Sequence, residues 1–203
     1  MAAVQDSLQE MKKLRLSNRL MAFEGLTCSG KTTLIQEFSK VREDVISPEL
    51  ALVDEDRDSD FPFLRAELRR TKFIDDCLAK QKSVVSDRFF LSTIVVEGVK
   101  TNHTQLFRKR VYEMLESNLV RIPSTVVWLV TEPQTAYRRQ FERNALLRRE
   151  HSFSMKSLEQ VSLLYNDFFT HLYPGNIIRL KTDPFRHTPE EYLDILFKEL
   201  IKL

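Results

Sequence analysis

The chain has 203 residues, 42% of them hydrophobic, enough for one domain with a full core. Its 31 basic and 29 acidic residues leave a net charge of +2, which argues against the concentrated basic surface that non-specific nucleic-acid binding needs. No segment approaches the ~20 apolar residues of a membrane span, and two cysteines, Cys28 and Cys77, give no disulfide framework and suit a reducing cytosol.

In chain order, residues 1–18 read as a polar leader or short extra helix ahead of the domain proper, 19–203. Lys12, Lys13 and Arg15 are followed by only Leu20–Phe23 as apolar material, too short for a secretory signal. Asp6 and Glu10 count against an organellar transit peptide. Leu20-Met21-Ala22-Phe23 is the first strand. Immediately after it, Gly25-Leu26-Thr27-Cys28-Ser29-Gly30-Lys31-Thr32 matches the phosphate-binding pattern G-x-x-x-x-G-K-[ST] at every required position. Only four glycines exist in the chain and two are here, so a chance match is on the order of one in a thousand.

The spacing has a physical reason. Glycine lets consecutive backbone N–H groups converge on a phosphate with no Cβ in the way. The helix that follows, Lys31–Val41 with Leu34, Ile35 and Phe38 at helical apolar spacing, adds its free N–H groups and the positive end of its dipole. Lys31 then serves the β- and γ-phosphates of a nucleoside triphosphate, Thr32 serves Mg²⁺, and Thr33 adds a hydroxyl contact. Cys28 reads as a small spacer in this loop.

Val45-Ile46-Ser47 is a short second strand, followed by Pro48-Glu49-Leu50. Glu49 is placed to accept a proton or a hydrogen bond from a substrate hydroxyl. Asp54–Asp60 is an acidic loop, and Phe63–Lys80 reads as a helix. Ser83–Ser86 is the third strand, and Asp87-Arg88 follows at its carboxyl end. Asp87 suits Mg²⁺ through water or activation of an acceptor hydroxyl, and Arg88 suits an acceptor phosphate or the transferring phosphoryl group. Taken alone, such a pair equally fits a salt-bridged strand end.

Gln105–Val120 reads as a long helix with Leu106, Val111, Met114, Leu115 and Leu119 facing inward. Thr125–Val130 is a continuous apolar run, as expected for a strand covered on both faces. Thr131-Glu132-Pro133-Gln134 then starts a helix with a cap, a first-turn proline and a glutamine three residues on. That helix carries Arg138, Arg139 and Arg143, then Arg148 and Arg149. Arg139 and Arg143 share a face, and 144–153 is expected to act as a lid that excludes water from the phosphates. Ser157–Leu172 is a helix and Asn176–Leu180 the last strand. Thr188-Pro189-Glu190-Glu191 is a capping box before a final helix. The four histidines, His103, His151, His171 and His187, show no metal spacing. The alternation implies an α/β fold: a five-stranded parallel sheet with helices on both faces and its ligands at the carboxyl ends of the strands.

The pattern resembles the thymidylate kinase and deoxynucleoside kinase superfamily of three-layer P-loop kinases. Phe23-Glu24-Gly25 through Gly30-Lys31-Thr32-Thr33 resembles the loop F-E-G-x-x-x-x-G-K-T-T. Asp87-Arg88-Phe89, with Ser92-Thr93 and Glu97-Gly98, resembles D-R-[YF]-x-x-S-[ST]-x-A-Y-Q-G. Ala136, Arg139 and Arg143 match A-x-x-R-x-x-x-R, and Val161 and Tyr165 match V-x-x-x-Y. The resemblance implies phosphoryl transfer from ATP–Mg²⁺ to a small-molecule acceptor, a nucleoside monophosphate or nucleoside. Lys31, Thr32, Asp87, Arg88, Arg139 and Arg143 would act at the phosphates, Arg148 and Arg149 in the lid. It also implies a cytoplasmic homodimer.

On the acceptor side the chain goes its own way. Ser47-Pro48-Glu49-Leu50-Ala51 stands where thymidylate kinases carry R-E-P-G-G-T, and Val96 and Glu97 stand in place of tyrosine and glutamine. An ionised Glu97 offers only acceptors to a base. The acceptor is therefore left open among a nucleotide, a nucleoside and another hydroxyl compound. A P-loop ATP-binding regulatory protein is the alternative from a different class, and the arginine-rich helix argues against it.

Overall fold

Five short apolar runs pair into one parallel sheet in the order β2-β3-β1-β4-β5. The computed structural model describes residues 19–42, 45–47, 62–117, 119–147, 153–182 and 187–203. The strands are β1 (Leu20–Gly25), β2 (Val45–Ser47), β3 (Val84–Asp87), β4 (Thr125–Val130) and β5 (Asn176–Lys181). The helices are α1 (Lys31–Val41), α2 (Pro62–Ala79), α3 (Phe90–Lys100), α4 (Phe107–Ser117), α5 (Pro133–Leu147), α6 (Met155–His171) and α7 (Pro189–Leu200). No described helix is long and apolar enough to cross a membrane.

Side chains alternate across each central strand and so supply two cores. Met21 and Phe23 of β1, with Val127 and Leu129 of β4, join Leu34, Ile35 and Phe38 of α1 and Leu193, Leu196, Phe197 and Leu200 of α7. Phe38 stacks on Phe197 at 5.4 Å and meets the edge of Phe23 at 5.9 Å. On the opposite face Ala22, Val126 and Trp128 join Phe90, Leu91, Ile94 and Val95 of α3 with Leu158, Val161, Tyr165, Phe168 and Phe169 of α6. β1 and β4 are thus covered on both faces, which is why they read as unbroken apolar runs.

The expected fold class stands, with local corrections. The expected helix over 105–120 is a short 3₁₀ turn, Thr104–Leu106, followed by α4, which ends at Ser117. Leu106 and Leu119, expected inward, are 38% and 51% exposed. They sit beyond the two ends of α4, outside the stripe that Phe107 and Val111 bury. The Thr131 hydroxyl, expected as a helix cap, is buried and paired with Thr182. α3 went unrecognised in the sequence, although Thr93, Glu97 and Lys100 lie at helical spacing within it. The Thr188 capping box is present, with both of its reciprocal bonds formed. Residues 1–18, the acidic loop 54–60, Glu49, Arg148 and Arg149 lie outside the described residues.

Gly25 ends β1 at φ +143°, and a Cβ there would stand 2.5 Å from the Leu129 carbonyl oxygen of β4. The loop therefore needs glycine on two counts, left-handed backbone and absent space. Gly25→Ala is expected to lower stability by about 2 kcal/mol or more. The check is the urea midpoint of unfolding, which should fall; an unchanged midpoint would show that the strand end adapts.

Candidate active site

Parallel pairing of β1 with β3 sets the site. Phe23 stands in register with Asp87, and the Arg88 N–H donates to the Phe23 carbonyl at 3.0 Å. The phosphate loop and the Asp-Arg pair, 55 positions apart where Thr32 meets Asp87, therefore leave neighbouring strands at the same edge.

The loop is built as the motif demands. Gly30 occupies the N-cap of α1 at φ +95°, and nothing lies within 4 Å of where its Cβ would be. Open space in front of a helix N-terminus is where an anion fits. Lys31 is buried, and its ammonium donates to the carbonyls of Gly25 at 3.0 Å and Leu26 at 2.7 Å and to Ser29 Oγ at 3.2 Å. Burial first, and then repulsion from Arg88, bring its pKa down from the ordinary lysine range to about 7.

Thr32 Oγ1 donates to Asp87 Oδ2 at 2.9 Å. The other carboxylate oxygen, Asp87 Oδ1, is buried with no hydrogen-bond partner among the described residues. An orphaned carboxylate oxygen beside a threonine hydroxyl is a donor set for Mg²⁺, a hard cation that keeps several waters and takes few protein ligands. No cluster of three or more His, Cys, Asp or Glu side chains is found among the described residues, so an all-protein metal cage is not what this site offers.

Arg88 has left-handed backbone, φ +72°, uncommon for a residue with a Cβ. Its guanidinium donates to the Gly25 carbonyl at 3.2 Å, which brings the side chain back over the loop. From the other side α5 delivers Arg139, whose guanidinium donates to the carbonyls of Cys28 at 3.4 Å and Thr182 at 3.2 Å. Arg143, one turn further along α5, is exposed. The Gln140 side chain donates to the Phe153 carbonyl at 2.8 Å and accepts from its N–H at 3.1 Å. This ties the residue after 148–152 back to α5. A cavity of about 240 Å³ opens beside the loop, lined among others by Cys28, Gly30, Thr33, Arg139, His187 and Tyr192.

Glu97 is not brought to the loop in the same way. It lies two turns into α3, its carboxylate 3.8 Å from Arg110 of α4. Sequence reasoning missed a different group. Glu67 and Arg70 of α2 are both buried, at 3% and 6% exposure. Arg70 Nη2 donates to both Glu67 oxygens at 2.7 and 2.6 Å, and Thr93 Oγ1 of α3 donates to Oε1 at 2.9 Å. Arg70 Nη1 is buried without a partner among the described residues. Burial pushes the Glu67 carboxyl up, against the opposing pull of Arg70. The signal available in the sequence was their position: with Ala66 and Ile74 on the buried face of α2, they stand where apolar residues belong.

No protein-family model matches this sequence, and no curated protein does. Solved structures do share the fold. The deoxyadenosine kinase from M. mycoides with bound dATP superposes with a TM-score of 0.64 at 16% identity, over 90% of this chain and 99% of that one. The same enzyme with products dCMP and a flexible dCDP gives 0.63 at 14% identity, over 91% and 100%. The expected deoxynucleoside kinase-like, three-layer P-loop fold is thus the observed one.

Lys31 generates a pH prediction. Its folded pKa is depressed to about 7, so the unfolded chain holds more protons above that pH. Stability of the unliganded protein then rises with pH through this group. Lys31→Met removes the effect: the variant should exceed wild type most at pH 7 and below, the gap narrowing toward pH 10. Urea unfolding at several pH values measures it, and a pH-independent gap would contradict the burial argument.

Proposed function

We propose that this protein is an ATP-dependent phosphotransferase that moves the γ-phosphoryl group to a nucleoside or nucleoside monophosphate. The observation that carries the reading is the pairing of Thr32 with Asp87 across two strands. It joins a complete triphosphate loop to a second polar edge suited to an acceptor. The likeness to a deoxyadenosine kinase seen with dATP and with dCMP as a product supports a nucleoside acceptor.

In this reading the cavity beside Arg139, His187 and Tyr192 takes the donor base, and Lys31 with the α1 N-terminus takes its phosphates. Mg²⁺ bound by Thr32 and Asp87 would neutralise developing charge on those phosphates. Arg88 and Arg139 hold the γ-phosphoryl group from opposite sides, and Arg143 with Arg148 and Arg149 closes over it. The acceptor oxygen bonds to the γ-phosphorus as the bond to the bridging oxygen breaks. ADP leaves, and the hydroxyl proton of a nucleoside passes to Glu49, just beyond β2. Glu67, Arg70 and Thr93 face the acceptor, because Thr93 lies in the first turn of the helix that follows Asp87-Arg88. The unpaired Arg70 Nη1 is suited to an acceptor atom on a base. Glu97 serves as an outer acceptor contact. A homodimer belongs to the same reading; Tyr112 on α4, 50% exposed, is the kind of side chain that a partner copy would cover.

The test is ADP formation from ATP–Mg²⁺ with a panel of nucleosides, nucleoside monophosphates and other hydroxyl compounds. A nucleoside or monophosphate should stimulate turnover, and Lys31→Ala should abolish it. Arg70→Met should lower kcat/KM for the acceptor about tenfold or more, with KM for ATP unchanged. Stimulation by no panel member would favour an ATP-binding regulatory protein, and full turnover by Lys31→Ala would refute the donor site.

A further inference from the structure

Glu24, one residue before the loop, is wholly buried. A buried carboxylate is costly unless donors surround it. Here the Phe89 N–H donates at 2.9 Å, Ser92 Oγ at 2.7 Å and the Tyr165 hydroxyl at 2.8 Å. The nearest cation is Arg88, with Nη1 at 3.8 Å from Glu24 Oε2. The link between the two charges runs through hydroxyls. Arg88 Nη1 donates to Ser92 Oγ at 2.9 Å and to the Tyr165 oxygen at 3.3 Å. A guanidinium only donates and a carboxylate only accepts. Each hydroxyl between them can therefore accept from Arg88 and pass its own proton to Glu24.

The Arg88 main chain is fixed just as firmly. Its N–H is bound to the Phe23 carbonyl at 3.0 Å, and its own carbonyl accepts from Ser86 Oγ at 2.6 Å. A left-handed φ of +72° persists only where the surroundings over-determine it. Tyr165 comes from α6, held at the back by Phe169 stacked at 6.0 Å. Nothing in the proposed chemistry needs a buried tyrosine, yet its hydroxyl reaches through the core to the two charges.

We propose that Glu24, Ser92 and Tyr165 are positioning residues that fix the Arg88 guanidinium at the cleft through a hydroxyl-bridged link to a buried carboxylate. The proposal deepens the phosphotransferase reading and rests on it for its kinetic consequence. With the cation already aimed, charge stabilisation needs no reorganisation during transfer. The same link holds Arg88 close to Lys31 despite their repulsion.

Two arms test it, using the full chain. In the first, ATP–Mg²⁺ and deoxyadenosine are the probes. Tyr165→Phe is expected to lower kcat about tenfold or more while KM for ATP stays within about twofold. Added to Arg88→Ala, it should have no further effect, because it acts through that arginine. An equal loss in both backgrounds would show a merely structural role and overturn the proposal. In the second arm, nitrogen-15 NMR follows the Arg88 side-chain N–H signal, identified by its loss in Arg88→Ala. Tyr165→Phe and Ser92→Ala should each shift it while Tm shows a folded protein, and an unmoved signal would overturn the proposal without reference to catalysis. If no nucleoside or monophosphate of the panel is phosphorylated but the signal shifts, the positioning holds and the phosphotransferase reading fails.

Discussion

One register of one strand pair decides where this protein's chemistry sits. Because β1 runs parallel to β3 with Phe23 opposite Asp87, both strands end at the same edge. Whatever follows them must share that edge. A slip of one residue would turn Asp87 to the other face of the sheet and away from Thr32. The two apolar cores enforce the register, since Ala22 and Phe23 must each find their own layer. Packing thus fixes the register, and the register places the chemistry.

Three cations, Lys31, Arg88 and Arg139, converge on the site formed there. Lys31 and Arg139 donate to backbone carbonyls, those of Gly25, Leu26, Cys28 and Thr182, whereas Arg88 donates to the Gly25 carbonyl and to the Ser92 and Tyr165 hydroxyls beside Glu24. Neutral acceptors solvate a cation less well than a charged phosphate does. Burial and the neighbouring Arg88 lower the Lys31 pKa, against the opposing pull of Glu24 and Asp87. In the proposed reading a triphosphate would bring its charge to these cations, and its oxygens would take the place of the carbonyls around Lys31. Asp87 is the mirror case, an anion with one buried oxygen unpaired, complementary to a divalent cation.

The donor half of this arrangement was legible in the sequence because it is local. Gly25, Gly30, Lys31 and Thr32 lie within one turn and one helix start, and glycine is scarce elsewhere. The parallel sheet was implied by alternation, and β4 announced itself as an apolar run, but the strand order was not read from the sequence. The rest was not local. Glu24, Ser92 and Tyr165 meet across 141 positions, from β1 to α6, and no spacing rule reports that. Glu67 and Arg70 looked like surface charges on an ordinary helix until α3 and α2 packed together. α3 was missed although Thr93, Glu97 and Lys100 recur at helical spacing on its less buried side. Leu106 and Leu119 misled for the opposite reason. Their spacing fitted a helix that stops short of both.

In the proposed reading, the edge shared by β1 and β3 is a donor-phosphate site with a metal at Thr32 and Asp87. A crystal structure with a β,γ-imido analogue of ATP and Mg²⁺ tests it most directly. The account predicts that Lys31 leaves the Gly25 and Leu26 carbonyls for the phosphates. Mg²⁺ should lie between the phosphates and Thr32 Oγ1, on the side of Asp87 Oδ1. An analogue bound elsewhere, with Lys31 still on those carbonyls, would contradict it.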